Sequence, residues 1–579
     1  MKHLTFNLLA GMIFSAASFS HALGQVPVIS GMRYDSITQS SVTLHWKTSV
    51  PADSRVLRMV SDSNDQPVAY TDSARRTSLV TEHSMPIGNL QSAVMYRYQI
   101  KSVNAGGSDS ATGYFITGSS SSGKVTLWFN HSVDTSVSTG TPASGNANFQ
   151  KLFMEQINKA SHSIDITTWY FDDEDSVAAC LIRAKERGVK IRFVYDYTPF
   201  TSDIDTLVAH GIQVVPRNFD TTFTMHDKFW IFDHRHNSSP ADQYLWTGST
   251  NVTHTQFHSD RNNIIIIQDQ SLCEVYTREF EEMWGSHTDQ PDISRSRFGT
   301  EKKGELAHIL NVGGIPMEVY FAPTDSIADT LISLFSTKPV KSIYFSMLKF
   351  VYPSIESALH ETFMKGINLG GVFDSSCSVK KGSAFPPMKG KTVAGAWDPP
   401  ADVFIDTLPG LLHHKYSLIN ADTTAGEKIV TTGSFNWELP AQKGNDENML
   451  VIHDATINNL YFQEFIARYR ESGGTQVGGN WGTGPAEAGA GSDPAKALPN
   501  PFSDRTTVQF RLSHSTQVTI ELYNGTGRLI TTLDEGIMEP GTRVVSIAGG
   551  TLPTGLLLCR IRAGESVQYL KLIHLAGMP

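Results

Sequence analysis

The sequence predicts an α/β core of two like lobes carried between two all-β domains, one at each end. Three observations predict it. A set of short motifs occurs twice, in the same order, in the middle of the chain; strand-like alternation marks both flanks; and Gly, Ala and Pro crowd the stretch before the last flank. With 579 residues, 40% of them hydrophobic and 10% aromatic, the chain has material for several cores. Its formal net charge of −10 speaks against a protein that grips nucleic acid through a broadly basic surface.

In chain order, Lys2 and His3 precede an apolar run, Leu4 to Phe19, that is too short to span a bilayer, and Ser20 and Ala22 offer a cleavage site. Residues 1–22 therefore read as an export signal. The expected mature protein is secreted or held at the cell surface and has no integral membrane segment. Four cysteines, at 180, 273, 377 and 559, form no C-x-x-C pair and read as small buried residues.

Residues 26–118 alternate as strands, for example Val42-Thr43-Leu44-His45-Trp46 and Met95-Tyr96-Arg97-Tyr98-Gln99-Ile100. Trp46 on an early strand, and Leu90 shortly before Tyr96, resemble a fibronectin type III sandwich with its tyrosine corner. That resemblance implies a spacer or docking module, with the Tyr96 hydroxyl returned to the backbone. Ser119 to Gly123 reads as a hinge.

Strands then alternate with helical stretches, and the region repeats. Ser163-Ile164-Asp165-Ile166 recurs as Ser342-Ile343-Tyr344-Phe345, and Val194-Tyr195-Asp196 recurs as Val372-Phe373-Asp374. Thr247-Gly248-Ser249-Thr250-Asn251 recurs as Thr432-Gly433-Ser434-Phe435-Asn436, and Asn263 with its isoleucine run recurs at Asn448. So long a period means two domains and not a solenoid. The lobes are placed at 125–290 and 305–472, followed by a flexible linker at 473–497. Residues 498–579 return to β alternation. Leu498-Pro499-Asn500-Pro501-Phe502, the turn Gly525-Thr526-Gly527-Arg528 and Leu552-Pro553-Thr554-Gly555-Leu556 resemble the C-terminal sorting domain of the type IX secretion pathway, which would make that machinery a partner. A carbohydrate-binding or adhesive sandwich is the competing reading.

The chemistry sits in the repeat. His226-Asp227-Lys228 opens an apolar run that ends at Asp233, and His413-His414-Lys415 opens one that ends at Asn420. Period-two alternation puts each His and Lys on one face. A lone H-x-K carries little information. Two of them, each followed by Gly-Ser-x-Asn and then by Asn before an apolar strand, resemble the phospholipase D superfamily, whose pattern is H-x-K-x4-D and then G-S-x-N. The resemblance covers about 125–470. It implies a two-lobed phospholipase D fold of mixed sheets with helices, here flanked by N- and C-terminal β-sandwiches. It also implies a phosphoric diester hydrolase whose two half-sites, at His226 and His413, meet around an approximate two-fold axis. In two places the chain departs from the pattern. Asn420 stands where the family has its supporting Asp, which Asp233 supplies in the first lobe, and Asn262 stands where the second lobe has Glu447.

A neutral imidazole can attack an anionic phosphodiester without the repulsion that hydroxide meets, while a second imidazole protonates the leaving oxygen. Lys228 and Lys415 would neutralise the non-bridging oxygens, and Ser249, Asn251, Ser434 and Asn436 offer hydrogen bonds to them. In the resembled family an acidic residue of one lobe braces the histidine of the other. Glu447 would then orient His226, making His226 the nucleophile and His413 the acid. No cofactor is needed and no metal is expected, although His234 with His236, or His254 with His258, could ligate one. The expected enzyme works as a monomer. Its expected substrate is a phospholipid, with an extracellular nuclease as the alternative and a non-catalytic surface-binding protein as a third reading. Lys380-Lys381 through Lys389-Gly390-Lys391 mixes basic residues with Phe385 and leads to Trp397, a composition that suits nucleic-acid phosphates and bases, suits an anionic membrane surface equally, and reads as well as a plain solvated loop.

Overall fold

In this computed structural model one long strand, Val42–Val60, organises the N-terminal β region. Its first half lies between Ile29–Asp35 and Thr71–Ile87, and its second half pairs with Met95–Asn104, which carries Gly107–Ile116 on its far side. The inward positions of this alternation, among them Trp46, Val56, Tyr96 and Phe115, form a core of their own. The Tyr96 hydroxyl accepts the N–H of Gln91 at 2.9 Å, the return to the backbone expected of a tyrosine corner. The structure describes residues 24–575 apart from 62–69, 173–175, 199–201, 218–221, 237–238, 392, 394, 476–494, 513–514, 525–527 and 565. The export signal, most of the linker and the turn at 525–527 lie outside the described residues. The chain divides into two units, residues 1–481 and 482–579.

The serine-rich segment expected to act as a hinge is instead fastened to lobe 1. Ser119 donates to Asp269 at 2.7 Å, Ser121 to the carbonyl of Pro240 at 2.9 Å, and the Ser122 N–H to Gln268 at 2.7 Å. Serine composition signals flexibility only where the hydroxyls meet water, and here they meet protein acceptors. The N-terminal β region also touches lobe 2, because the Tyr34 hydroxyl both donates to and accepts from the backbone of Ile309, at 2.9 Å each.

The lobes share one topology. Lobe 1 orders its strands Gln213–Arg217, Lys190–Asp196, Ser163–Thr168, Phe229–Phe232, Tyr244–Gly248, Asn263–Ile267 and Val125–Phe129. Lobe 2 repeats this as Asp402–Asp406, Asn368–Asp374, Ser342–Met347, Lys415–Ile419, Ile429–Gly433, Glu447–Ile452 and Ile315–Ala322, then adds Ile309–Val312 at the edge. In both, the first three strands are parallel and the rest antiparallel. Helices Gln270–Trp284 and Ala455–Glu471 are buried on nearly every side, and one apolar cluster runs through both lobes. Phe229 and Tyr276 of lobe 1 meet Phe321 of lobe 2 with ring centroids 6.3 and 5.0 Å apart. Each such buried aromatic contributes roughly 1.5–3 kcal/mol, so the lobes form one hydrophobic body. All four cysteines are buried and unpaired.

The second unit is described by itself. Three strands (Lys496–Leu498, Arg505–Leu512, Gly541–Ala548) form one sheet and four (Leu529–Met538, Thr516–Asn524, Gly555–Ala563, Ser566–His574) another. Val508, Val518, Ile520, Leu522 and Ile561 lie in the core they share.

Asp233 and Asn420 end the strands that the H-x-K segments lead into, both in left-handed conformations, with φ of 53° and 60°. Asp233 accepts the N–H groups of Ser161, His162 and Ser163. Asn420 does the same for Val340 and Lys341 at 2.9 and 3.1 Å, and its amide nitrogen donates to the carbonyls of Lys338 and Glu427 at 3.2 and 2.9 Å. The departure at Asn420 is therefore a local repacking: an amide serves two acceptors that a carboxylate could only repel. Restoring the family residue should harm the protein. Asn420→Asp is expected to lower stability by about 1 kcal/mol in urea unfolding, because two part-buried carbonyls lose their donor. A midpoint at or above the wild type would contradict this account.

Candidate active site

Each H-x-K segment runs extended into a strand of its own lobe, Phe229–Phe232 or Lys415–Ile419. His226 and His413 precede those strands, because their backbone is engaged by the opposite lobe. Met225 bridges Asp446, and Leu412 bridges Arg261. The N–H of His226 donates to the carbonyl of Asp446 at 2.9 Å, and that of His413 to Arg261 at 3.0 Å. The residue after each bridge partner then reaches an imidazole. Glu447 Oε2 lies 2.7 Å from His226 Nδ1, and Asn262 Oδ1 lies 2.9 Å from His413 Nδ1.

The G-S-x-N motifs hold these braces. Gly248 and Gly433 take φ of 146° and 147°, and a Cβ there would come within 2.3 Å of the Asn263 carbonyl oxygen or 2.2 Å of that of Asn448. Ser249 donates to Asn262 at 2.8 Å, and Ser434 donates to Glu447 at 2.7 Å. Each hydroxyl has one proton, so these serines serve the braces and leave phosphate oxygens to other donors. Asn251 and Asn436 are buried with carboxamide oxygens that have no hydrogen-bond partner. Lys228 and Lys415 donate to the carbonyls of His226 and His413 at 2.8 and 2.6 Å. Trp169 stands beside this group, its ring 5.5 Å from that of His226.

The two half-sites form one electrostatic unit. Burial holds the His226 imidazole well below the usual histidine range, and Lys228, Lys415 and Lys349 push it further down. Burial does the same to His413, followed by Lys415, Lys228 and His226 itself. The Lys228 ammonium is lowered to about 8 by burial, against the pull of Glu447, Asp227 and Asp196, and Lys415 is driven well below its ordinary value by burial and by Lys228. Glu447 is raised to about 7 by burial, against Lys228. Two buried ammonium groups and two imidazoles thus act on one another with the Glu447 carboxylate bonded to one ring, an arrangement that favours an anion.

Several residues that hold the site were not singled out in the sequence. Asp196 accepts the N–H of Met225 at 2.7 Å and Asp374 that of Leu412 at 2.8 Å, pinning the residue before each histidine. Both end repeated motifs, Val-Tyr-Asp and Val-Phe-Asp, and that recurrence was the available signal. Asp446, whose carboxylate takes Arg217 at 3.0 Å and the Gly299 N–H at 2.6 Å, is matched in lobe 1 by the unlike Arg261 and gave none. The basic loop does not offer stacking platforms: Phe385 and Trp397 are buried in the core of lobe 2, with Lys391 5.4 Å from the Phe385 centroid. Its interleaved pattern reflects a solvated edge over a packed interior. His234 is engaged between Gln243 and Glu274 at 2.7 and 3.1 Å, and with His236 it lines a cavity of about 530 Å³. That cavity lies at the far end of strand Phe229–Phe232 from His226, so it is no part of this site. Among the described residues, no three His, Cys, Asp or Glu side chains are grouped to hold a metal ion.

Comparison with known proteins finds matches to both lobes and to the last β region. Residues 153–284 and 331–469 match the family described as "Cardiolipin synthase, PLD-like domain", and residues 496–574 match the "Secretion system C-terminal sorting domain". A mitochondrial cardiolipin hydrolase of Xenopus tropicalis is 28% identical over 148 residues, 26% of this chain and 63% of that protein. A phospholipase D of Rickettsia typhi is 30% identical over 131 residues, 23% of this chain and 57% of that protein. The chain thus spans 57% to 63% of the length of these two relatives. Among solved structures, a phosphatidylserine synthase of Haemophilus influenzae covers 57% of this chain and 85% of its own, with 14% identity and a TM-score of 0.40. A phospholipase D family member of Salmonella typhimurium, Nuc, covers 27% and 94%, with 20% identity and a TM-score of 0.24. The sorting domain marks the chain for secretion or the cell surface, and among the described residues no helix is long and apolar enough to cross a membrane.

Because both imidazoles are depressed in the free protein, an oxyanion that offsets the lysines should raise them. Protons are then taken up on binding between the lowered and the raised values. Tungstate titrated calorimetrically near pH 6.5, in buffers of different ionisation enthalpy, is expected to give net proton uptake, reduced in His413→Asn. Binding with no uptake or with release would contradict the charge balance.

Proposed function

The paired lobes belong to the phospholipase D superfamily, and from that premise we propose that the protein is an exported phosphodiesterase that cleaves phospholipids through a phosphohistidine on His226. The observation that carries the assignment is the inequality of the two braces, a carboxylate on His226 and an amide on His413. An ionised Glu447 accepts the proton on Nδ1, leaves the Nε2 lone pair free and steadies the positive charge that appears when that nitrogen bonds phosphorus. Asn262 fixes the ring of His413 without adding charge, which suits a group that must give up a proton. In the first step Nε2 of His226 attacks phosphorus, the P–O bond to the leaving alcohol breaks, and His413 protonates that oxygen. In the second, His413 removes a proton from water, the water oxygen attacks phosphorus and His226 departs. Lys228 and Lys415 carry the negative charge on the non-bridging oxygens through both steps.

Phospholipid is favoured over nucleic acid by the acidic chain, by export and by the burial of the aromatics in the basic loop. The names of the curated relatives, phospholipase D and cardiolipin hydrolase, point the same way. Both H-x-K pairs stand buried and braced, which argues against a purely adhesive role.

Labelled phosphatidylcholine, cardiolipin and single-stranded DNA, offered side by side to the purified protein, test the substrate class. Release from a lipid is expected, and cleavage of DNA alone would replace the lipid reading. With a p-nitrophenyl phosphodiester, acid-quenched mass spectrometry of His413→Ala is expected to find a phospho-adduct on His226, because the loss of acid–base help slows hydrolysis by about 10²- to 10⁴-fold. His226→Asn should give no adduct. Trapping on His413 in the His226 variant would reverse the roles. Since Glu447 must be ionised to accept the Nδ1 proton and burial lifts its carboxyl to about 7, kcat/KM should fall as pH drops through that value. Glu447→Gln should lose both this limb and most of the activity, and an unchanged limb would mean another group sets it.

A further inference from the structure

Beneath each H-x-K segment the chain buries a second set of charged groups, and the two sets are built differently. Tyr276 and Glu279 stand 13 and 16 residues after Asn263, as Tyr461 and Glu464 do after Asn448. The structure keeps that correspondence: Tyr461 donates across the lobes to Asn263 at 3.1 Å, and Asn448 donates to Tyr276 at 3.3 Å. The middle residues of the two H-x-K motifs, Asp227 and His414, each face the helix of their own lobe. In lobe 2 the arrangement is self-sufficient, because His414 Nε2 lies 3.0 Å from Glu464, which Arg468 also approaches at 3.3 Å.

In lobe 1 the same position holds an acid. Asp227 is fully buried, neither of its oxygens has a hydrogen-bond partner, and one oxygen of Glu279 has none either. Asp446 adds a third carboxylate, and Glu447 follows it. A cation from elsewhere answers them. Lys302, on the connector between the lobes and with no counterpart in the repeat, is fully enclosed. Its ammonium contacts Glu279, lies 2.9 Å from Asp446 Oδ1 and donates to the carbonyl of Ala322 at 3.1 Å. Burial opposes its charge, yet Asp446, Glu279 and Asp227 hold it above the usual lysine range. Asp446 is also the residue whose carbonyl takes the His226 N–H.

We infer that Lys302 is a positioning residue for the active site: it supplies in lobe 1 the counter-charge that Arg468 supplies to Glu464 in lobe 2, and through Asp446 it fixes the segment that presents Glu447 to His226. The inference rests on the phosphodiesterase reading. Removing the ammonium leaves the Asp446 carboxylate, among the described residues, with Arg217 and the Gly299 amide, and takes from Glu279 its bonded cation and from Asp227 one of the cations that act on it. The 445–447 segment then loses its anchor from below, while the phosphate-facing side of the site keeps its lysines.

The test compares wild type, Lys302→Met and the double variant Lys302→Met/Asp227→His, which rebuilds in lobe 1 the His–Glu pairing of lobe 2. On a p-nitrophenyl phosphodiester, Lys302→Met is expected to lower kcat by about 10- to 100-fold, the effect of a small misplacement of a reacting group, with KM within about threefold. The acid limb of its pH profile should move upward, since a cation has left a cluster of carboxylates. The double variant should recover at least about tenfold of the lost kcat, a rescue that general loosening of the fold would not give. If Lys302→Met does not fold, Lys302→Gln/Glu279→Gln takes its place, with the charges beside the helix balanced and Asp446 still short of its cation; the same loss is expected. An indifferent kcat and pH profile in the folded variant, or no recovery in the double variant, overturns the inference while the enzyme stands. A wild type inactive on every phosphodiester removes both readings together.

Discussion

Two backbone bridges between the lobes, Met225 to Asp446 and Arg261 to Leu412, are the constraint on which the rest of the site depends. Each uses the N–H of a histidine that would otherwise be buried without an acceptor, a loss worth about 1–3 kcal/mol. Each also sets register, because the residue after the bridge partner is the one that meets the imidazole. The half-site of one lobe is thus completed by the other, and neither lobe alone could hold its own histidine. The shared core around Phe229, Tyr276 and Phe321 keeps that register rigid.

Electrostatics explains why so much structure surrounds so few reacting atoms. Two lysines and two histidines buried together disfavour their own protonation, and Glu447 is the carboxylate that reaches an imidazole, with Asp227, Asp196 and Asp374 acting on the lysines beside it. A cluster of this sign is costly to bury empty and is relieved by an anion. Further carboxylates are kept beneath the site, on the far side of the H-x-K backbone, where Lys302 and Arg217 balance Asp446 and Glu279. Their separation from the phosphate-facing side lets the fold be neutral enough to stand and the site positive enough to bind.

The two-lobed core and both H-x-K pairs were legible in the sequence, because a duplicated motif set carries order as well as composition. Asp233 was legible for the same reason, and Glu447 through the resemblance. What stayed hidden has physical causes. Lys302 lies in a connector that no repeat covers, and a lysine there reads as solvated until its burial is seen. Asp446 differs from its counterpart Arg261, so comparing the lobes offered no pattern. The serines at 119–122 look like a flexible hinge because composition does not reveal which acceptors lie nearby. In the lysine-rich loop, alternation of charge and ring could not tell a displayed aromatic from a buried one.

On the proposed mechanism, the asymmetry of the braces answers what one phosphate would require of two histidines. Identical half-sites would give identical imidazoles, and a reaction that needs one neutral and one protonated ring would then rely on chance occupancy. A glutamate at both braces would put a second buried negative charge against an anionic substrate. An asparagine at both would leave the proposed nucleophile without the carboxylate that would fix its tautomer and steady a phosphorylated form. One Glu and one Asn, at otherwise equivalent positions and each held by the serine of its own lobe, separate the two histidines while leaving the geometry nearly symmetric. The same rule extends to the layer beneath, where Asp227 and His414 differ and a lysine from outside the repeat makes up the difference. Symmetry therefore places the groups, and the few positions that break it assign their roles.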